Sequence, residues 1–206
     1  MHIDHVVFAV RDLDEGAERF RRDWGLDSSP GGRHPGWGTA NRIVPLGRDY
    51  LELIAVVDEA EASGSVFGRS VLELAAAGGG WVAISVATDD LDAVAARLGV
   101  EVTEGRRARP DGTELRWRSA GFEDSSREPW MPFFIAWDVD PELHPGRARA
   151  ALGSRVEGVA RVKVAGDGDR LREWLGGNEL PIDVVNGPPG IRAVLFATAD
   201  GELVIA

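Results

Sequence analysis

At 206 residues and 44% hydrophobic side chains, the chain can build one large domain, or two small modules, around a real core. Its net charge of −11, from 23 basic and 34 acidic residues, argues against nucleic acid or an anionic membrane surface as partner, because phosphate attracts excess cations. The absence of cysteine excludes disulfides, thiolate nucleophiles and sulfur-ligated metals, so any metal site must use His, Asp, Glu or backbone oxygen.

Met1-His2-Ile3-Asp4 opens a strand and not a cationic, apolar leader, and no later run approaches the ~20 apolar residues of a membrane span; the expected location is cytoplasmic. In Ile3-Asp4-His5-Val6-Val7-Phe8-Ala9-Val10 the period-2 pattern sets Val6, Phe8 and Val10 toward a following helix and His5 on the opposite face. Asp12-Leu13-Asp14 caps that helix, residues 15–24, with Ala17, Phe20 and Trp24 on one side and Gly25 as its stop. Residues 28–37, rich in Gly, Pro and Ser, read as loop or irregular edge strand, and residues 38–46 resume an extended pattern. After the turn Gly47-Arg48-Asp49, residues 50–57 form a strand on which Glu52 is the one charged group of its face. Residues 1–57 are thus a β-α-β-β-β module.

Residues 58–80 form a helical linker, with a helix over 65–77 and the breaker Gly78-Gly79-Gly80. The opening pattern then returns: Trp81-Val82-Ala83-Ile84-Ser85-Val86-Ala87 is strand-like and Asp89-Asp90-Leu91-Asp92 caps a helix ending near Leu98-Gly99. Matching Asp12-Leu13-Asp14 to Asp90-Leu91-Asp92 gives an offset of 78, which lays Ala83 on His5 and points to duplication. This second module spans 81–140, with strands at 114–119 and 132–137 separated by a polar loop at 121–128. Residues 141–206 hold a linker of loop and short helix to 158 and a partial third module: a strand at 159–164, a helix at 169–175, and strands at 182–185, 191–198 and 202–205.

Three polar groups of the first module bear on chemistry: His5 on the first strand, His34 in the Gly-rich stretch and Glu52 on the last strand. Strand faces turned away from the helix converge when the sheet curls, and two imidazoles with one carboxylate suit Zn, Fe, Mn or Ni with open positions for substrate or water. The same spacing equally describes a hydrogen-bonded His–Glu pair. Gly38 lets backbone approach a ligand, and Thr39 and Asn41 share one strand face with hydroxyl and amide groups. Arg116 and Arg118 project together and suit an anion, while Trp117 and Phe134 read as cavity wall or core. Gly78 to Gly80 follow a helix and lack a downstream Lys-Ser or Lys-Thr, so they make no phosphate loop.

Ile3 to Leu13, Gly32-Arg33-His34-Pro35-Gly36-Trp37-Gly38-Thr39-Ala40-Asn41-Arg42, Tyr50-Leu51-Glu52-Leu53-Ile54, Asp89-Asp90-Leu91-Asp92 and Pro132-Phe133-Phe134-Ile135 together resemble the vicinal oxygen chelate superfamily (glyoxalase, bleomycin resistance, dioxygenase), specifically a glyoxalase-like domain. The resemblance implies an α+β fold of repeated βαβββ modules, the first two pairing their sheets. It also implies His5 and Glu52 as ligands of a divalent metal of unstated identity and Asn41 lining the cleft; beside them His34 is read from its residue type as third ligand, substrate contact or general acid or base, and Glu52 as a catalytic group. Ala83 and Ala136 stand where the second module's His and Glu would be, so a complete glyoxalase I site does not carry over. The function expected is a metal-dependent lyase, isomerase or dioxygenase acting on a small polar or anionic molecule, with Thr39, Asn41, Arg116, Trp117 and Phe134 contacting it. The alternative is a metal-free, sequestering small-molecule binder; a homodimer paired through strand edges is a third expectation.

Overall fold

The computed structural model describes residues 1–109, 111–148 and 156–206. β1 (His2–Ala9) is the central strand, buried from Ile3 onward because its apolar residues are needed on both faces. It leads into α1 (Leu13–Trp24), where the Asp12 side chain accepts from the Asp14 and Glu15 amides and Gly25 closes the helix at a φ of 66°. β2 (Ser29–His34), β3 (Thr39–Pro45) and β4 (Tyr50–Val56) complete the first unit, so the Gly-rich stretch is an edge strand. The linker carries α2 (Glu59–Ser63) and α3 (Val66–Ala76). The second unit is β5 (Gly80–Ala87), α4 (Leu91–Leu98), β6 (Val102–Ala108), β7 (Glu114–Ala120), α5 (Phe122–Arg127) and β8 (Phe133–Trp137). The stretch expected to be a polar loop therefore contains a helix: Phe122 turns into the interior and its neighbours Ser125 and Ser126 are buried, which gives a polar segment an apolar anchor.

Eight strands make one sheet in the order β2-β3-β4-β1-β5-β8-β7-β6. β1 runs parallel to β4 and antiparallel to β5, which runs parallel to β8. In the β1–β5 register Val7 faces Ala83 and His5 faces Ser85; exchanging the strands with the 78-residue offset turns one pair into the other, the signature of a pseudo-two-fold axis between the units. The edges β2 and β6 come together where Gly32 has no side chain: a Cβ there would lie 2.5 Å from the Ala108 carbonyl oxygen. The sheet is thereby nearly closed on itself.

Two apolar clusters fill its two sides. Phe20, Leu91, Val94 and Phe134 belong to the outer one, with α1 and α4. Val7, Ile54, Phe67, Val71, Ala83, Phe133 and Ile135 belong to the inner one, where α3 and α5 cover the enclosed face.

After two 3₁₀ turns, Pro141–Leu143 and Pro145–Arg147, the chain enters β9 (Val156–Ala165), α6 (Gly168–Trp174), β10 (Ile182–Val184), β11 (Gly190–Thr198) and β12 (Gly201–Ile205). Residues 149–155 of the expected linker lie outside the described residues. The chain order is again β-α-β-β-β, but β9 pairs with β10 and β11, giving a separate sheet β10-β9-β11-β12, whereas the first two units set the last strand beside the first. This sheet backs the outer cluster: the Trp81 indole donates to the Ile205 carbonyl (3.2 Å) and the Trp174 indole to that of Pro132 (2.7 Å). No described helix is long and apolar enough to cross a membrane.

Candidate functional site

The inner face carries a cleft lined by His5, Tyr50, Glu52, Arg107 and a set of aromatic rings, with about 520 Å³ between its walls, the open mouth included. Alternation along β1 would turn Asp4 away from His5, but the β1–β5 register slips between Ile3 and His5, and this bulge brings the two side chains together. His5 Nδ1 meets Asp4 Oδ1 at 2.5 Å. The other Asp4 oxygen accepts from the Trp137 indole and from His144 Nε2, each at 3.0 Å, and His144 Nδ1 in turn accepts from the Gly146 amide. Burial of Asp4 would raise its pKa, but the bonds from His144 and His5 outweigh it and hold the carboxyl below the usual range. A carboxylate must receive a proton at its short bond, so His5 Nδ1 is the donor and Nε2 is turned to the cleft, 3.7 Å from Glu52 Oε2. The ring stacks on Tyr50 at 4.4 Å and meets the Phe133 edge at 5.7 Å, which fixes its plane.

His34, Thr39, Asn41 and Glu52 form a second chain of contacts on the same face. The Gly32 amide donates to Asn41 Oδ1 at 2.8 Å, which settles the orientation of the Asn41 amide. Its Nδ2 then donates to Glu52 Oε1 (2.7 Å) and to His34 Nε2 (3.2 Å), and His34 Nδ1 donates to Thr39 Oγ1 at 3.1 Å. The lone pair of His34 is thus occupied. Burial pushes its pKa down to about 4, against the opposing pull of Glu52, so the ring is neutral at pH 7. Gly38, expected to face a ligand, faces the linker: the Asp58 carbonyl fills the space where its Cβ would be.

The second unit supplies no matching ligands. Val7 pairs with Glu52 on β4, and its counterpart Ser85 pairs with Phe133 on β8, so Phe133 stands where a second glutamate would be. Ala136, expected to hold that position, lies on the other face beside Arg116 and Arg118. Ala83 remains the counterpart of His5 and lines the cleft. A zinc site, structural or catalytic, takes three or four protein ligands, and imidazole-rich sites for iron or manganese take a comparable set. Here the free donors are His5 Nε2 and Glu52 Oε2, and among the described residues no group of three or more His, Asp or Glu is arranged to hold an ion. The donor set does not fit a metal centre.

Of the residues expected to contact a small molecule, Asn41 and Trp117 line the cleft, and Thr39 lies fully buried behind His34. Two are corrected. Arg116 is exposed on the outer face and paired with Glu114 at 2.6 Å; Phe134 is fully buried in the outer cluster against Trp174. Both miss the cleft by one residue of strand parity, their neighbours Trp117 and Phe133 facing it. The arginine at the cleft is Arg107, the one buried residue of the otherwise open strand β6. No sequence signal selected it over Arg106 or Arg109. Tyr50, Trp37, Phe67 and Phe122 also went unread; the last three rings pack together at 4.5–5.5 Å and roof the cleft from the β2–β3 turn, α3 and α5.

Comparison with known proteins agrees with the fold. A protein from Staphylococcus aureus described as hypothetical superposes over 98% of this chain and 84% of its own, at 18% identity and a TM-score of 0.65. Two variants of a Streptomyces coelicolor methylmalonyl-CoA epimerase, each in complex with 2-nitronate-propionyl-CoA, superpose over 68% of this chain and 99% of theirs, at 23% identity and a TM-score of 0.50. These likenesses are of fold. No curated protein matches the sequence. The family described as glyoxalase-like domain matches residues 3–179, a span that runs through both units of the closed sheet and into the third, and the chain belongs to that family.

Proposed function

We propose that this glyoxalase-like protein is an enzyme that moves a proton on a small molecule, with His5 as general base and without a metal. The observation that carries the reading is the short Asp4–His5 bond, which leaves Nε2 directed into an enclosed cleft beside an ionisable partner, Glu52. An imidazole positioned by a buried carboxylate keeps one tautomer, and the carboxylate offsets the charge formed when Nε2 takes a proton. In the reaction a C–H bond next to a substrate carbonyl breaks, its proton passes to His5 Nε2, and the electron pair moves onto the carbonyl oxygen. Return of the proton to the same or a neighbouring carbon makes an isomerase; loss of a leaving group makes a lyase. Glu52 stands close enough to Nε2 to share in the return. A metal-dependent form of this chemistry, which the family resemblance implies, would need ligands that Ala83 and Phe133 do not supply.

The second reading is a binding protein, favoured by the roof of Trp37, Phe67 and Phe122 over the cleft. One experiment separates these. Small 2-oxo acids, aldehydes and ketones are incubated in D₂O with and without EDTA and followed by proton NMR. Catalysed exchange that falls by about 10²-fold or more in His5→Gln supports the proposal. Exchange abolished by EDTA and restored by zinc or manganese makes the enzyme metal-dependent, and ligand binding without exchange makes the protein a binder.

A further inference from the structure

Arg107 is a charged side chain placed where solvent does not reach it. It is 5% exposed, on a strand whose other residues are open or half-open, and among the described residues its Nη1 has no hydrogen-bond partner. A buried guanidinium left without a partner is costly, and such groups are normally paired. Its stem passes beside Gly32 of the facing edge strand, where a Cβ would lie in van der Waals contact with Arg107 Cδ, at 3.6 Å. The head lines the same cleft as His5, Tyr50 and Glu52, within electrostatic reach of both Glu52 and Tyr50. Among the described residues the ion-pair partners of Glu52 are His5 and His34 and not Arg107, so the guanidinium is not consumed by that carboxylate.

We infer that Arg107 is a binding site for a carboxylate, and that the small molecule this cleft takes is a monocarboxylate whose apolar body lies under the rings of Trp37, Phe122 and Phe133. A guanidinium presents parallel N–H donors that match a carboxylate's two oxygens, which selects this planar anion over a neutral amide of the same shape. Charge favours one anionic group over two, since Glu52 shares the cavity. The narrow, ring-lined walls favour a flat or short body. This inference rests on the small-molecule reading of the cleft but not on His5 acting as base.

The test measures thermal stabilisation and NMR titration of the full chain by formate, acetate and benzoate, each against its amide: formamide, acetamide and benzamide. At least one acid is expected to bind tenfold or more tightly than its amide, with Arg107→Met and Arg107→Gln both folded and both reducing that ratio to near one. Arg116→Met, on the outer face, leaves the ratio unchanged. Equal binding of acid and amide in every pair, or no binding by any acid, overturns the inference, as does a ratio that survives both Arg107 substitutions. A ratio kept in His5→Gln while wild type catalyses no exchange removes the general base and leaves the carboxylate site standing. Exchange that persists with no acid preference does the reverse.

Discussion

His34 Nε2 accepts the Asn41 amide at 3.2 Å, and through the same nitrogen Asn41 also grips Glu52 Oε1 at 2.7 Å. One side chain therefore decides which groups of the cleft are free: His34 is held as a neutral support behind the site, and Glu52 keeps a single oxygen turned toward His5. Asn41→Ala leaves buried acceptors without a donor, and a loss of about 1–3 kcal/mol is expected in urea unfolding. The loss from His34→Ala should be smaller in the Asn41→Ala background than in wild type, because the two deletions remove one network. Additive losses would show that the bridge is not formed in solution.

Asp4 has its folded pKa depressed below its ordinary 3.8, so the stability it supplies is present above that value and is lost as pH falls through the folded one. Wild type should lose stability relative to Asp4→Asn between pH 4 and pH 2, read as the difference between their melting temperatures. Asp4→Asn should also slow exchange by about 10²-fold at neutral pH, since an amide no longer fixes the His5 tautomer.

Asp49 carries the opposite sign. Burial pushes its pKa up to about 6, assisted by Asp4 and opposed by the Val159 amide, Arg48 and His144. Its contribution is full below the ordinary 3.8 and is lost as pH rises through about 6, a change of up to about 3 kcal/mol. His34, with a lowered pKa, has the reverse slope over the same window, so the measurement compares wild type with Asp49→Asn at each pH. The stability of Asp49→Asn relative to wild type should rise between pH 4 and pH 7. A flat difference would mean that the contact from the β3–β4 turn to Gly158 and Val159 is open to water.

Gly32→Ala tests the closure of the sheet. The added methyl carbon meets the Ala108 carbonyl at 2.5 Å, which only a backbone shift relieves, at a cost of about 1–3 kcal/mol. The shift separates β2 from β6, so the substitution should weaken the acid-over-amide preference assigned to Arg107 as well as lower the melting temperature. A variant as stable as wild type would show that the two edges do not touch.

Local chemistry was legible in the chain itself. Asp12 and Asp90 cap their helices, Gly25 and Gly99 end them in left-handed turns, and the 78-residue echo reappears as the β1–β5 register. These features depend on near neighbours and on periodicity, which composition and spacing carry. The parity of later strands does not: the residue standing in the place of Glu52 is Phe133, 81 positions on rather than 78, and Phe134 and Arg116 face outward. The bulge at Asp4, the bond from His144 across 140 positions and the inward reach of Arg107 over Gly32 arise only when remote segments meet. Residue order alone marked the repeated β-α-β-β-β pattern and put His5 and Glu52 on strands of one unit. Which polar groups are occupied and which are free was decided by the closed sheet, because a hydrogen-bond partner is set by proximity in space.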